Sequence, residues 1–370
     1  MEMAALVALQ SQVLWAAFAV SLVFGLVAQK THFCTMGAIS DVVNMGDWTR
    51  MRMWGMAVGV AVLGFHGLGW MGLIDTSKTI YTNGRVVWLS ALSGGALFGF
   101  GMVLASGCGS KTLLRLGAGS LKALVVFVVM GVSAFATLRG LFAVVRVNTV
   151  DKVAFDMAQG SSLPAWLAGP LGQPVTVVTA FVAVLVGGGL VWWALSAPQF
   201  RRFDQVLAGV GIGASVVAMW WVTGHLGFVA EHPETLDAAF LRTNSGLMES
   251  LTFTAPLAYT LDWFIYFSDT SKVLTVSVVS VAGVVVGSFV YALATRSFRW
   301  EGFRDTQDTA LHLSGAVLMG IGGVTALGCT VGQGLSGMST LSLTSLLAVT
   351  GIVAGALGGL RFQLWLVMRD

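Results

Sequence analysis

Two stretches of the chain end an apolar helical pattern at a Gly-Cys pair: ASGCGSKTLLRLGAG at 105–119 and ALGCTVGQGLSG at 326–337. After each pair, small and polar residues replace the apolar pattern before a new apolar run begins. Within a lipid bilayer, irregular backbone survives only where protein buries it or where it lines a cavity. The two stretches therefore predict broken, re-entrant helices at membrane depth that line a transport pathway.

The composition indicates the environment of these breaks. The chain is 56% hydrophobic, with 20 Lys and Arg and 17 Asp and Glu among 370 residues, and its mean hydropathy is +0.83. Because about a quarter of the residues of a soluble domain are charged, we predict an all-α polytopic membrane protein in the lipid bilayer. A net charge of +3 gives no reason to expect a nucleic acid partner. The first apolar run has no Lys or Arg before it, so we interpret it as a retained membrane helix rather than a signal peptide.

Apolar stretches of about 17–25 residues are long enough to cross a bilayer as helices. The distribution of Lys and Arg over alternate loops predicts an N-terminus outside and a C-terminus in the cytoplasm, in a bacterial inner membrane. We expect the long connections 142–174 and 223–272 to have some structure of their own, including an interfacial helix in LAYTLDWFIYF. The nine predicted spans are 12–28, 51–73, 86–105, 121–141, 175–195, 206–222, 273–294, 309–327 and 340–366.

The two Gly-Cys stretches are also similar to one another. Residues 94–108 and 315–329 align without a gap and share eight identities in 15 positions, including Cys108 with Cys329. These stretches fall in the third and eighth predicted spans, which cross the membrane in opposite directions. We therefore predict two inverted halves, 1–141 and 206–370, joined by 142–205, with a transport site at their interface.

The three cysteines, Cys34, Cys108 and Cys329, lie far apart in the sequence, so separate thiols are expected rather than a disulfide framework. Thiols along a membrane pathway suit Cu(I) or another soft metal, a disulfide-exchanging substrate or a sulphur-bearing anion. Lys111 beside Cys108, and the absence of Cys-x-x-Cys and Met-x-x-Met clusters, favour the anion. The alternative is that the glycines and cysteines only pack helices closely.

Other ionisable residues are assigned no role in transport. His66, His225, His232 and His312 are interpreted as interfacial. Glu249, Asp262 and Asp269 are interpreted as solvated residues of a long outer loop.

The motifs KTHFCTMGAISD, ASGCGSK and ALGCTVGQGLSGMST, beginning at Lys30, Ala105 and Ala326, resemble the three cysteine motifs of the YeeE/YedE family of thiosulfate transporters. The resemblance extends over nearly the whole chain and is weakest in 139–174 and 223–272. It implies an hourglass-shaped bundle of inverted halves in which the cysteines pass thiosulfate along by thiol hydrogen bonds. It also implies a small soluble sulfurtransferase as a cytoplasmic partner. The predicted pathway residues are Cys34, Cys108, Cys329, Gly107, Gly328, Lys111, Thr330 and Gln333.

The sequence leaves three other functions open. They are a transporter of a related selenium or sulphur species, a transporter of Cu(I) or another soft metal, and a protein in which the cysteines only pack. A membrane thiol oxidoreductase is disfavoured because no Cys-x-x-Cys pair or axial-ligand pair is present. We therefore predict a transporter rather than an enzyme, with no cofactor and no bound metal.

Overall fold

The computed structural model describes residues 3–157, 160–233 and 235–368, and helices dominate them. Two short antiparallel strand pairs lie in the connections, β1 with β2 and β3 with β4. The strands are Arg85–Val86, Phe155–Asp156, Phe228–Val229 and Ala239–Phe240, numbered β1 to β4. The helices are α1 (Met3–Thr31), α2 (Thr35–Met45), α3 (Thr49–Trp70), α4 (Trp88–Leu104), α5 (Gly109–Gly117), α6 (Leu121–Arg139), α7 (Leu141–Asn148), α8 (Leu163–Leu171), α9 (Val175–Leu195), α10 (Phe203–Trp221), α11 (Ala255–Ile265), α12 (Val276–Ala294), α13 (Thr306–Thr325) and α14 (Leu343–Val367).

The helices confirm an all-α polytopic membrane protein. Within the described ranges, eight helical segments are long and apolar enough to cross a bilayer, and each overlaps one predicted span. The remaining predicted span, 309–327, coincides with α13, a helix of 20 residues that contains His312 and several glycines. The total of nine spans stays a prediction.

Helices α4 and α13 lie against one another at very short range. A Cβ atom placed on Gly322 would lie 2.6 Å from the Gly94 carbonyl oxygen, and one placed on Gly315 would lie 2.6 Å from the Gly101 carbonyl oxygen. The glycine nearer the start of each helix, Gly94 or Gly315, thus contacts the glycine nearer the end of the other. The two helices therefore run antiparallel. Only residues without a side chain allow the two backbones to approach so closely.

The other helices surround this pair in matching positions. Helix α14 packs on α4 and α6 packs on α13; likewise α12 packs on α1 and α3 packs on α10. The short helix α2 contacts α3 and α14, and the short helix α11 contacts α12 and α6. Helix α9 packs on the outer side of α3 and has no counterpart in this scheme.

The LAYTLDWFIYF segment forms most of α11, and the structure refines its predicted interfacial position. Leu257, Ala258 and Thr260 are buried within the bundle. Phe264 and Ile265 at the other end are 64% and 70% exposed. The helix therefore enters the bundle at its N-terminus and presents aromatic and aliphatic side chains only at its C-terminus.

Four interpretations of ionisable residues were wrong. Asp262 is not solvated, because its ion-paired side chain is only 12% exposed. His66 in α3 and His312 in α13 are each only 4% exposed, so they are not interfacial. Glu249 is 8% exposed, and it is buried because its carboxylate accepts hydrogen bonds from the loop around it. The terminal positions 1–2 and 369–370, on which the predicted orientation of the ends bears, lie outside the described residues.

Candidate functional site

The two helix breaks have the same backbone geometry. Ser106 and Leu327, the residues before the two Gly-Cys pairs, adopt φ angles of 53° and 58°. The Gly107 N–H then donates to the Met102 carbonyl and the Gly328 N–H to the Gly323 carbonyl, both at 2.8 Å. A left-handed residue ends a helix without leaving its last carbonyls unpaired, although a non-glycine residue adopts this conformation at some cost. Cys108 and Cys329, which are 221 positions apart, therefore each lie just beyond the end of a helix.

Cys108 is the N-cap residue of α5 and is fully buried. Its Sγ lies 3.2 Å from the Ser110 hydroxyl, at the N-terminus of the helix. The Thr112 hydroxyl donates to the Cys108 carbonyl at 3.2 Å. The thiol thus lies at the positive end of a helix, among groups that favour negative charge.

Cys34 is the N-cap residue of α2, and the Gly37 N–H donates to its Sγ at 3.4 Å. Its thiol interacts with the thiol of Cys108. The structure thus brings together two cysteines that are 74 positions apart in the sequence. Both belong to helix N-termini, where free N–H groups favour an anion.

Cys329 is fully buried, and its thiol interacts electrostatically with that of Cys108. The N–H groups of Phe253 and Gly332 donate to its Sγ at 3.3 and 3.4 Å, and the Thr252 Oγ1 lies 3.9 Å from it. Thr330, the next residue, approaches the Cys108 thiol. The three cysteines therefore follow one another in the order Cys329, Cys108, Cys34.

Gln333 stabilises the second break. Its N–H donates to the Cys329 carbonyl at 2.7 Å, and its Nε2 donates to the Ala326 carbonyl. Its Oε1 is buried and has no hydrogen-bond partner among the residues that the structure describes. Gln333 therefore positions the backbone that carries Cys329 and keeps one acceptor free.

Basic side chains gather at the Cys34 end. Lys111 lies beside Gly107, since its Cγ would be 3.1 Å from a Cβ atom on that glycine. Arg50 reaches the first turn of α2, where its Nη1 would lie 2.7 Å from a Cβ atom on Gly37. The positive charges of Lys111 and Arg50 act on one another and on His32, and that of Lys111 also acts on Cys34. Arg50 also forms an ion pair with Asp41, with 3.4 Å between its Nε and the Asp41 carboxylate. Because Lys111 and Arg50 outnumber this one carboxylate, this end of the row of cysteines carries a net positive charge.

A cavity of about 190 Å³ lies at the Cys329 end. We call it the Gly328 cavity, and its walls include Gly328, Thr252, Arg146, Glu249 and Tyr259. The Arg146 Nε lies 3.5 Å from the Asp151 carboxylate. A small oxyanion with several water molecules fits this volume, one residue away from the Cys329 thiol.

Glu249 lines this cavity but has its own donors. Its Oε1 accepts the N–H groups of Asn244 and Ser245 at 2.9 and 2.7 Å, and its Oε2 accepts the Ser277 hydroxyl at 3.3 Å. Burial raises the pKa of the Glu249 carboxyl, and these hydrogen bonds partly oppose the shift. Burial also raises the pKa of the nearby Tyr81 hydroxyl, which stays neutral.

All eight predicted pathway residues lie at the two breaks or at the start of α2, but sequence reasoning missed three contributors. Thr252 and Phe253 contact Cys329 from the connection 223–272, and Arg146 reaches the Gly328 cavity from α7. For Phe253 the contact is made by a backbone N–H, which leaves no mark in the sequence.

Comparison with known proteins identifies the family to which the chain belongs. The family described as "Sulphur transport" matches residues 30–357. The thiosulfate transporter TsuA of Escherichia coli is 30% identical to this chain, over 84% of the chain and 83% of the relative. A protein of the same name from Spirochaeta thermophila is 26% identical, over 92% of the chain and 96% of the relative. The chain is accordingly a transporter and not an enzyme, and it belongs to the sulphur-transport family, YeeE/YedE.

Proposed function

We propose that this chain imports thiosulfate across the bacterial inner membrane, along a pathway on which Cys329, Cys108 and Cys34 are successive stations. The observation that supports this most is the uninterrupted order of the three thiols, each beside backbone N–H groups at a helix break. The names of the two relatives support the choice of substrate.

The chemistry of the stations suits a sulphur-bearing dianion. Stripping a dianion of water beside apolar walls is very costly, and N–H groups at helix ends offset part of this cost. A thiol is a weak hydrogen-bond donor, so each station holds the ion loosely. Several weak sites in series favour conduction, since the ion is able to leave each of them.

The charges at the two ends suggest a direction. The ion reaches Cys329 from the Gly328 cavity and leaves past Lys111 and Arg50, which lie beside Cys34. The predicted orientation assigns this basic end to the cytoplasm. A small soluble sulfurtransferase would then receive the ion at that end, as the family resemblance implies.

We further propose that residues 1–141 and 206–370 form two inverted halves. The glycine contacts of α4 and α13 support this. An exchange of the two helices turns the contact of Gly94 with Gly322 into the contact of Gly315 with Gly101. The paired packing of α14 on α4 and of α6 on α13 supports it as well. The pathway would then cross the interface of the halves near the middle of the bilayer.

The soft-metal alternative gains no support from the geometry. In the ranges 3–157, 160–233 and 235–368, no group of three or more His, Cys, Asp or Glu side chains lies close enough to hold a metal ion. The uptake assay also tests whether a selenium or sulphur species related to thiosulfate is the substrate.

A growth and uptake assay tests the proposed function. A bacterial strain without its own sulfate and thiosulfate uptake receives this chain, and thiosulfate is the sole sulphur source. We expect growth and uptake of ³⁵S-thiosulfate, which unlabelled thiosulfate competes away and sulfate does not. Uptake that selenite or Cu(I) competes away better than thiosulfate would contradict the choice of substrate.

A further inference from the structure

The two halves of the structure place different residues at one matching position. Helices α2 and α11 each contain 11 residues. Each follows a buried phenylalanine and an N-cap residue: Phe33 and Cys34 before α2, Phe253 and Thr254 before α11. Thr254 lies 220 positions after Cys34, close to the 221 positions that separate Cys108 from Cys329.

The packing of the two short helices matches as well. Helix α2 contacts α3 and α14, whereas α11 contacts α12 and α6. Helix α3 packs on α10 and α14 packs on α4, and in the same way α12 packs on α1 and α6 packs on α13. An exchange of α10 with α1 and of α4 with α13 therefore maps the neighbours of α2 onto those of α11. Thr254 therefore occupies in the second half the position that Cys34 occupies in the first.

The Thr254 hydroxyl makes no hydrogen bond that caps α11. The side chain is 0% exposed, and its Oγ1 has no hydrogen-bond partner among the described residues. It would lie 2.6 Å from a Cβ atom on Gly323, a residue that lines the Gly328 cavity. A neighbouring N–H, that of Phe253, donates to the Cys329 thiol. Because a buried hydroxyl without a partner is destabilising, a substrate oxygen that reached Thr254 beside Gly323 would complete its hydrogen bonding.

We propose that Thr254 is a fourth station of the pathway, whose hydroxyl donates a hydrogen bond to an oxygen of the substrate anion next to Cys329. The assignment rests on the proposed transport of thiosulfate. A hydroxyl is a stronger donor than a thiol, so this station holds the oxygen end of the ion while Cys329 meets its sulphur. The two halves thus differ chemically: a hydroxyl lies at the cavity end and a thiol at the basic end.

Substitutions of Thr254 separate this role from packing. Thr254→Val keeps the shape and removes the hydroxyl, whereas Thr254→Ser keeps the hydroxyl. Thr260→Val is the matched control, because Thr260 lies buried on the same helix and its hydroxyl already donates to the Pro256 carbonyl. ³⁵S-thiosulfate uptake is measured at equal membrane abundance, and the Tm of each purified protein with and without sodium thiosulfate.

We expect Thr254→Val to lower uptake about tenfold, the loss typical of one hydrogen bond to a charged partner, with a Tm at or above that of the parent. Thiosulfate should raise the Tm of this variant less than that of the parent, and Thr254→Ser and Thr260→Val should transport like the parent. If Thr254→Val takes up thiosulfate like the parent, or if the valine and serine variants lose uptake equally, Thr254 is not a station. Either result would leave the proposed transport of thiosulfate intact. A parent chain without thiosulfate uptake would overturn the proposed function and the station with it.

Discussion

Lys111 places a side-chain cation on the first turn of α5, three residues after Cys108. Its ammonium group interacts electrostatically with the thiols of Cys34 and Cys108. In the part of the chain that the structure describes, no carboxylate lies within ion-pair distance of it. The charge of Lys111 is therefore available to an anion on the pathway.

Reversing this charge should impair transport. We expect Lys111→Glu to lower thiosulfate uptake at least about tenfold, because a carboxylate beside Cys34 and Cys108 repels the dianion across a poorly screened distance. Lys111→Arg should retain most of the uptake, because the positive charge is kept. Uptake of ³⁵S-thiosulfate at matched membrane abundance measures both, and equal uptake by the two variants would leave Lys111 with only a topological role.

Glu249 should make stability depend on pH in a defined direction. Burial raises the pKa of its carboxyl in the folded state, so the folded state holds this proton more tightly than the unfolded state. The stability linked to it is complete below the unfolded pKa and is lost as the pH rises through the folded pKa. Glu249→Gln keeps the Oε1 acceptor and removes the titration, so the Tm of this variant relative to the parent should increase from pH 4.5 upward. Parallel Tm curves would show that Glu249 is not the source.

Helices α4 and α13 pack backbone against backbone at their glycines. On Gly322, an added Cβ would meet the Phe98 nitrogen at 2.5 Å and the Gly94 carbonyl oxygen at 2.6 Å. Both are backbone atoms, so neither is able to move away as a flexible side chain does.

Gly322→Ala should therefore destabilise the fold by about 1–3 kcal/mol, the usual cost of overpacking. Gly189→Ala in α9 is the matched control, because a Cβ there meets nothing within 4 Å and alanine favours a helix by up to about 1 kcal/mol. Thermal unfolding of the purified proteins in detergent measures the difference. A Gly322→Ala protein as stable as Gly189→Ala would mean that the two helices are farther apart than described.

The helices and breaks were largely predictable because each has a local cause. Apolar length identifies a span, and a Gly-Cys pair followed by polar residues identifies a break, as at Cys108 and Cys329. Burial of ionisable side chains was less predictable: Glu249 accepts the Ser277 hydroxyl from 28 positions away, and burial of His312 depends on how α13 packs. The Phe253 N–H beside Cys329 is a backbone contact and carries no residue-specific signal.

The distribution of Lys and Arg predicts an orientation for the whole molecule. The loop with Arg296 and Arg299 belongs to the side predicted to be cytoplasmic, and the loop with Lys272 belongs to the opposite side. Ser297 and Ser271 lie exposed in these two loops. Each position is therefore suited to a topology probe.

A membrane-impermeant maleimide should label Ser271→Cys in intact cells and Ser297→Cys only after lysis. The parent chain supplies the background, since Cys108 and Cys329 are buried and Cys34 is half-buried. The reverse pattern of labelling would invert the proposed direction of transport, so that the basic end would face outward.

The central claim at this scale is that three thiols carry the substrate through the molecule. Alanine at Cys34, Cys108 or Cys329 removes the donor and leaves the helix breaks, the glycines and nearly the same volume. The most direct measurement is ³⁵S-thiosulfate uptake into proteoliposomes that contain the parent or one of the three alanine variants at equal density. We expect uptake by the parent and a loss of at least about tenfold in each variant, since each removes a hydrogen-bond donor to a charged ion. Parental uptake by all three variants would contradict the thiol pathway and leave the cysteines as packing residues.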